Sequence, residues 1–459
     1  MSTAKIPVII DTDPGVDDIL ALLLALASPE IEVLAIIISF GNTDAEASYV
    51  NVLKTYQAIH RQLEQFPQDA YRYVNFSQER KTILAVGEDG PLEGALHSAK
   101  YFHGRDGLGG ITQSHPDLNV DDNHPSQHPQ LELSSKSGVE VALNLIKSEP
   151  ERTISYIALG PLTNLAKILR LDREAVRDRI GRVVCMGGAL DVPGNHNPVS
   201  EFNVFADPFA VKELLTPDDL EQGLPLNRFL LLPLDITTPH EIRFPYYKEM
   251  VDPAFESTAF PSQPEGKPPI VHFTSSFFER TREVMRQFGK DAMELHDIAA
   301  VWCAIENPPV RDEDPDPAAL PVLQQGWKAM RRKFGVERLG ELTRGMFVID
   351  RREDPSAYAP GANRAKVQAE LDRLNFQHSG VYESTAVPAE VEVETPPVFK
   401  DRSHVHAQVS TGATATDTLD RPSDGQMNGV AGGVPCITRT PGSAALVKLL
   451  LERVWGVRS

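Results

Sequence analysis

Short, continuously apolar stretches alternate with helix-length amphipathic segments along most of this chain. The apolar stretches predict strands at residues 8–10, 33–39, 82–86, 153–159, 182–186 and 228–233. The amphipathic segments predict helices at residues 17–27, 45–60 and 138–148. Strands that are apolar throughout and separated by helices are typical of a parallel sheet covered on both faces. We therefore predict an α/β fold built on an open, mostly parallel, Rossmann-like sheet with helices on both faces.

Two polar segments, residues 61–81 and 112–136, interrupt this alternation, and we expect both to be surface insertions. The second segment contains His115, His124 and His128. A solvated polar loop is favoured over a metal site for these histidines, because Pro, Asp, Asn and Gln surround them.

The composition changes near the C-terminus. From residue 353 to about 433 the chain is rich in Pro, Ala, Ser, Thr, Gly and acidic residues, with one candidate helix around residues 364–376. Such a segment has too little apolar surface to form a packed core. We predict a main domain over residues 1–353, a low-complexity, mobile insertion over 354–433, and a strand and helix over 434–459 that return to the main domain.

Charge and cysteine content narrow the range of partners. The formal net charge of −19, from 64 acidic and 45 basic residues, disfavours binding to nucleic acid and to anionic membranes. The three cysteines, Cys185, Cys303 and Cys436, have spacings that suit neither a disulfide framework nor a zinc site. No secretory signal or membrane-spanning apolar run is evident, so the sequence predicts a cytoplasmic protein.

An acidic turn follows the first predicted strand, where residues 11–18 read DTDPGVDD. Four carboxylates in eight residues repel one another unless a cation or hydrogen bonds compensate their charge. Oxygen ligands without Cys or His favour a hard ion, calcium or magnesium, and calcium better tolerates an irregular ligand shell. An acidic cap on the next helix is the alternative, but capping accounts for only one or two of the aspartates.

Further motifs follow the acidic turn along the chain. They are SFGN at 39–42, HGRDGLG at 103–109, LGPLTNLA at 159–166, MGGA at 186–189, GN at 194–195, EFN at 201–203, DP at 207–208, LHD at 295–297 and TRG at 343–345. In this order they resemble the inosine-uridine preferring nucleoside hydrolase family over about residues 6–350. The resemblance implies the nucleoside hydrolase architecture, with residues 1–353 as its catalytic domain. It also implies hydrolysis of ribonucleosides to ribose and a free purine or pyrimidine base, a role in purine and pyrimidine salvage, and a homodimer or homotetramer.

The resemblance further implies a calcium site and a set of ribose contacts. The calcium ligands would be Asp13, Asp18, Asp297 and the backbone carbonyl of Thr163. Asp13 would also take a proton from a calcium-bound water, which attacks the sugar. The ribose contacts would be Asp17 and Asn42 at the 2′ and 3′ hydroxyls, and Asn195, Glu201 and Asn203 at the 5′ side.

Two histidines match family positions near the base of the substrate. His296 matches the residue that protonates or polarises the leaving base, and His103 matches a histidine near the base pocket. An aromatic residue that some relatives carry shortly before the His-Asp pair is not evident here. Phe273, Phe277 and Phe278 recur at helical spacing and are expected in the core instead.

Two other functions remain open at this point. A magnesium-dependent phosphohydrolase also uses an Asp-x-Asp motif after its first strand, but it needs cationic phosphate contacts, and the motifs here contain few Lys or Arg. A non-catalytic nucleoside-binding relative is the other alternative, although all the expected metal, sugar and acid residues are present. Release of phosphate from a nucleotide, or of free base from a nucleoside, distinguishes these functions.

Overall fold

The computed structural model describes residues 5–77, 79–311, 316, 319–350 and 433–457. Its strands are β1 (Ile6–Thr12), β2 (Ile31–Ile38), β3 (Thr82–Val86), β4 (Leu131–Leu133), β5 (Ser155–Ala158), β6 (Arg182–Met186), β7 (Phe229–Leu232), β8 (Glu241–Arg243), β9 (Ala292–Glu294), β10 (Lys328–Arg332), β11 (Gly335–Val336), β12 (Phe347–Val348) and β13 (Val434–Arg439). Its α-helices are α1 (Val16–Leu26), α2 (Ala45–Gln65), α3 (Lys100–His103), α4 (Ile111–Ser114), α5 (Gly138–Ser148), α6 (Thr163–Leu171), α7 (Arg173–Arg179), α8 (Phe202–Ala206), α9 (Pro208–Leu215), α10 (Leu234–Thr237), α11 (Phe244–Met250), α12 (Pro269–Gln287), α13 (His296–Glu306) and α14 (Ser443–Leu450).

Nine of these strands form one sheet in the order β10-β13-β7-β6-β5-β1-β2-β3-β4. Neighbouring strands are parallel except at the β10 edge, where β10 runs antiparallel to β13. Side chains alternate between the two faces of the sheet. Val8 and Ile10 of β1 pack in a core with α1, α2, α12 and α13, whereas Ile9 packs in a second core with α5, α6, α7 and α9. The predicted α/β fold is therefore confirmed.

The strand order reverses beside β1. The chain runs from β1 outward through β2, β3 and β4, and then returns to the other side of β1 to form β5, β6 and β7. In open parallel sheets, ligands bind at such a switch point, beyond the carboxyl ends of the strands. The acidic turn follows β1 and therefore lies at this position.

The last described residues, 433–457, return to the sheet. Strand β13 lies between β7 and β10, and α14 continues into a π-helical turn at Leu451–Trp455. The Trp455 indole donates a hydrogen bond to Thr274 Oγ1 at 3.1 Å, and the Val454 carbonyl accepts one from the Tyr73 hydroxyl at 2.5 Å. These contacts attach the last turn to α12 and to the segment after α2.

The two segments that were expected to be surface insertions are only partly on the surface. Helix α2 continues to Gln65, and Tyr73, Asn75 and Phe76 are buried behind it, so the expectation for residues 61–81 is wrong at these positions. Residues 112–136 contain β4, the edge strand of the sheet, and a buried His115. In both segments, tertiary packing overrides a polar local sequence.

The predicted insertion at residues 354–433 and its candidate helix at 364–376 lie outside the described residues, apart from Gly433. Within the described ranges, no helix has the length and apolar character needed to cross a membrane.

Candidate active site

The turn between β1 and α1 places the acidic motif at the switch point. Asp18, in the first turn of α1, accepts hydrogen bonds from Thr12 Oγ1 at 2.5 Å and from the Gly15 amide at 3.0 Å. The Asp13 amide, at 3.3 Å, and Asn42 Nδ2, at 2.8 Å, also donate to this carboxylate. The capping alternative therefore describes part of the role of Asp18, since a carboxylate at a helix N-terminus satisfies free amides.

Asp13 lies in a tight cradle of backbone. Its Oδ2 accepts a hydrogen bond from the Asn42 amide at 2.8 Å, whereas its buried Oδ1 has no hydrogen-bond partner. A Cβ at Gly41 would lie 2.0 Å from Oδ2, and a Cβ at Gly160 would lie 2.5 Å from Oδ1. A larger residue at either position would displace the carboxylate, and the unpartnered oxygen is available to a ligand.

Three carboxylates converge from two helices. One oxygen each of Asp17, Asp18 and Asp297 lies within 4.8 Å of the other two, with Asp297 in the first turn of α13. This trio shares Asp18 and Asp297 with the predicted ligand set. It also contains Asp17, which was predicted as a ribose contact, and it does not contain Asp13.

Thr163, the predicted carbonyl ligand, lies at the start of α6. It closely follows Gly160, whose backbone passes beside Asp13 Oδ1. The Thr163 hydroxyl donates to Asp207 Oδ2 at 2.6 Å, which anchors this end of the helix. The loop before α6 therefore approaches the acidic turn from the β5 side.

Within the described part of the chain, lysine and arginine do not compensate the charge of these carboxylates. Burial, followed by repulsion from Asp18, raises the pKa of Asp17 to about 7 and that of Asp13 well above its usual range. Burial and the charges of Asp17 and Asp18 likewise raise the pKa of Asp297. Among the described residues, no Lys or Arg forms an ion pair with any of the four. An all-oxygen group of this kind could hold a metal ion, which would offset the repulsion.

A cavity of about 340 Å³ opens beside the carboxylates. The predicted site residues that line it are Asp17, Asn42, His103, Asn195, Glu201, Asn203, His296 and Asp297. The structure thus brings together residues that are far apart in the sequence, from the ends of several strands and helices. Asp13, Asp18 and Thr163 do not line this cavity.

The residues predicted to contact the 5′ side are held by hydrogen bonds to backbone. Glu201 caps α8 by accepting from the Asn203 amide at 2.7 Å, and burial raises its pKa. Asn203 Nδ2 donates to the Leu159 carbonyl at 2.6 Å, and Asn195 Oδ1 accepts from the Phe202 amide at 2.9 Å. These bonds fix the three side chains at the cavity wall.

His103 is fixed as a neutral imidazole. Its Nδ1 accepts a hydrogen bond from the Val16 amide at 3.1 Å, so the ring proton is on Nε2. Burial, and then the charge of His296, lower the pKa of His103 to about 3. His103 can therefore donate a hydrogen bond into the cavity but cannot supply a proton as a cation near neutral pH.

His296 has the opposite electrostatic setting. Its Nδ1 lies 2.8 Å from Thr237 Oγ1, and its Nε2 lies 3.1 Å from Glu294 Oε2. Burial lowers its pKa, but the contact with Glu294 and the charges of Asp17 and Glu201 together raise it by more, so the pKa is raised overall. Burial raises the pKa of Glu294 in turn, but His296 and then Lys290 reverse this effect and lower it to about 2. His296 is therefore suited to act as a donor.

Several residues that line the cavity carried no recognisable signal in the sequence. Tyr101, Met285, Phe288, Lys290 and Glu294 also line the cavity, and together with His103 and His296 they form what we call the histidine end. Tyr101 is 53% exposed and Phe288 is 64% exposed. The two aromatic rings are therefore accessible to a ligand.

The aromatic residues of α12 divide into two groups. Phe273, Phe277 and Phe278 are buried in the core, which confirms the expectation for them. Phe288 lies just past the end of α12, precedes the His-Asp pair and lines the cavity, so an aromatic residue does occupy the region where none was evident. Its only signal was a large aromatic residue at a helix C-terminus, which periodicity does not assign to a site.

Comparison with known proteins relates this chain to nucleoside hydrolases. A model of the inosine-uridine preferring nucleoside hydrolase family matches residues 8–378. A probable uridine nucleosidase 2 of Arabidopsis thaliana is 34% identical over 230 residues. The match covers 50% of this chain and 62% of that protein, which is less than two thirds of its length. A pyrimidine-specific ribonucleoside hydrolase of Salmonella paratyphi C is 29% identical over 81% of this chain and 96% of its own. The inosine-uridine preferring nucleoside hydrolase of Leishmania major is 28% identical over 80% and 94%.

Solved structures share the fold. A plant nucleoside hydrolase superposes with a TM-score of 0.58 at 19% identity, over 98% of this chain and 99% of that one. An inosine-guanosine nucleoside hydrolase superposes with a TM-score of 0.52 at 24% identity, over 79% and 91%. Because the family model covers most of the chain, the chain belongs to the inosine-uridine preferring nucleoside hydrolase family and is a hydrolase of N-glycosyl bonds in ribonucleosides.

Proposed function

We propose that this enzyme uses a calcium ion held by Asp18, Asp297, Asp13 and the backbone carbonyl of Thr163. The observation that carries the proposal is the group of buried, uncompensated carboxylates beside the cavity, with one Asp13 oxygen unpartnered. The proximity of Asp17 to Asp18 and Asp297 makes it a further candidate ligand. When bound, the ion would anchor the ribose hydroxyls and raise the acidity of a water molecule.

Asp13 is proposed as the general base. Its backbone cradle fixes the carboxylate, and its free Oδ1 can accept the proton of the attacking water. Asp17 and Asn42 would bind the ribose 2′ and 3′ hydroxyls from the same side.

The other cavity walls position the rest of the substrate. The 5′ side of the ribose would contact Asn195, Glu201 and Asn203. His296 would donate to the leaving base as the glycosidic bond breaks, with His103 as a second donor near the base. The named relatives include uridine, pyrimidine-specific and inosine-uridine preferring enzymes, so we propose a ribonucleoside substrate without assigning its base.

The phosphohydrolase alternative is disfavoured by the cavity lining. Among the described residues that line the cavity, Lys290 is the one Lys or Arg, and it forms an ion pair with Glu294. A phosphoryl group would therefore meet carboxylates without a free Lys or Arg among the described lining residues to bind it.

We also propose a cytoplasmic location and a homodimer or homotetramer. The three cysteines are all free and buried, which suits a reducing compartment. Light scattering of the purified protein measures the oligomeric state directly.

A substrate panel tests the proposed function. Inosine, adenosine, guanosine, uridine, cytidine and nicotinamide riboside would each be incubated with enzyme and assayed for free base, with a nucleotide assayed for phosphate. We expect base release from at least one nucleoside, its loss after metal stripping, and its recovery with calcium. Full activity in a thoroughly metal-stripped sample would contradict the metal assignment, and phosphate release without base release would contradict the reaction.

A further inference from the structure

Both ring nitrogens of His296 have partners, and the two partners differ in kind. Nδ1 faces the buried hydroxyl of Thr237, which does not line the cavity. Nε2 faces the carboxylate of Glu294, which does line the cavity. The Nε2 side of the ring is therefore the side that a bound base can reach.

The chemistry of Glu294 determines which nitrogen carries the proton. An ionised carboxylate only accepts hydrogen bonds, so Nε2 of His296 must be the donor. Thr237 can either donate to Nδ1 or accept from it, and so it accommodates the ring in both charge states. Glu294 thus keeps a proton on the nitrogen at the cavity wall, where an acceptor atom of a bound base can share it.

Glu294 is itself held from two directions. Its second carboxylate oxygen forms an ion pair with Lys290, and its backbone belongs to β9, where it pairs with Glu241 of the antiparallel strand β8. The next residue, Leu295, donates its amide to the His240 carbonyl at 2.7 Å. The strand pairing fixes Glu294 immediately before the helix that carries His296.

We propose that Glu294 is a positioning residue that holds His296 with its Nε2 proton at the cavity wall, ready for the leaving base. The proposal rests on the role of His296 in the proposed function. In serine proteases a buried carboxylate also fixes a catalytic histidine, but it binds the ring nitrogen opposite the reacting one. Glu294 differs, because it binds the nitrogen at the cavity wall and would share that proton with the base.

The test compares two substrates in matched variants. The nucleoside that the wild-type enzyme hydrolyses fastest needs help for its base to leave, whereas a nitrophenyl riboside has a leaving group that departs without protonation. For Glu294→Ala we expect kcat on the nucleoside to fall about 10- to 100-fold, the range expected for a lost charge-assisted hydrogen bond. The kcat for the nitrophenyl riboside should stay within about 3-fold, since only donor orientation is lost.

Three further variants sharpen the result. Glu294→Gln keeps a carbonyl oxygen that can accept from Nε2, so it should recover most of the nucleoside activity. Glu241→Ala, on the neighbouring strand and outside the cavity, should resemble the wild type. The double variant Glu294→Ala/His296→Ala should be no slower than His296→Ala alone, because Glu294 acts through that ring.

Each outcome decides a different point. Equal losses on both substrates would mean that Glu294 supports the neighbouring ligand Asp297 structurally, and would overturn the proposal. Losses that multiply in the double variant would also overturn the proposal. Unchanged or faster nucleoside turnover in Glu294→Ala would overturn it too, because it would mean that the carboxylate competes with the base for the proton. If His296→Ala itself retained nucleoside turnover, the assignment of His296 would fail first and the proposal for Glu294 would fall with it.

Discussion

The two ends of the site are built in opposite ways. At the acidic end, Asp13, Asp17, Asp18 and Asp297 are packed together without a Lys or Arg partner among the described residues. At the histidine end, the Glu294 carboxylate is paired with both Lys290 and His296.

The two ends therefore differ in whether they need a bound cation. Carboxylates that lack a protein cation are stabilised by one from solution, so the acidic end depends on a ligand to reach its working state. The histidine end balances its own charges and can orient a donor without an ion. Substitutions at the acidic end should therefore harm every substrate, whereas those at the histidine end should discriminate between leaving groups.

The largest expected effect is that of Asp13→Asn. Loss of a positioned general base typically costs about 10²–10⁴ in rate, and this loss should apply equally to a nucleoside and a nitrophenyl riboside. Steady-state kinetics on both substrates measure it, with Asp121→Asn in an exposed loop as the control. A loss confined to the nucleoside would contradict this division of roles, because it would mean that Asp13 assists the leaving group rather than the attacking water.

The second prediction concerns His296→Ala. Nucleoside hydrolysis should fall by about 10²-fold, since a departing base needs a donor, while nitrophenyl riboside hydrolysis should be nearly spared. The ratio of the two losses is the quantity to measure. If that ratio were one, His296 would be a support for the carboxylates rather than a donor, and the two ends would not be functionally separate.

The two ends also differ in how well the sequence predicted them. Three members of the acidic end, Asp13, Asp17 and Asp18, follow a buried strand in one compact motif, so their position could be inferred from strand order and their chemistry from the density of carboxylates. Asp297 was predicted only from the family resemblance. The histidine end is completed by Phe288, Lys290 and Glu294, which lie two to eight residues before His296, and by Tyr101 on α3, and none of them belongs to a recognised motif. The packing of α3 and β9 against α12 brings Tyr101 and His103 to this segment, and no spacing in the sequence encodes that packing.

The fold shows the same contrast between local and tertiary signals. Strand β6 and helix α5 have the bounds that their apolar patterns predicted. The polar segment that contains His115 was expected to be solvated, yet that side chain is buried against Glu279 of α12. Residues that depend on a distant partner for burial look like loop residues in the sequence.

The third prediction tests the exposed aromatics of the histidine end. Phe288→Ala should raise KM for the nucleoside about 2- to 10-fold, as expected for the loss of one aromatic contact, with kcat little changed. Phe260→Ala is the control, because Phe260 is 73% exposed and does not line the cavity. An unchanged KM would show that the base does not reach Phe288.

The smallest expected effect is a change in thermal stability at Glu279, a buried carboxylate outside the cavity. This residue tests whether burial of one carboxylate is enough to require a cation. Burial raises the pKa of Glu279 to about 8, and burial also lowers the pKa of nearby His115 to about 4. Both groups are therefore mostly neutral near pH 7, and their contact at 3.6 Å needs no metal. Between about pH 4.5 and 8 the unfolded chain ionises Glu279 while the folded protein keeps it protonated, so this group lowers stability as pH rises through that window.

Glu279→Gln tests this difference, because glutamine stays neutral and can still accept the hydrogen bond from the Ser262 amide. Its Tm advantage over the wild type should grow from pH 5 to 8 by on the order of 2–4 °C and then level off, as the folded wild-type protein also ionises. Thermal denaturation across this range, with and without calcium, measures the effect, and Glu265→Gln in an exposed loop is the control. A calcium-dependent difference, or one that is constant with pH, would show that Glu279 behaves like the acidic end after all. A difference that depends on pH but not on calcium would mean that burial of a single carboxylate does not require an ion. The need for an ion at the acidic end would then come from the mutual repulsion of several carboxylates.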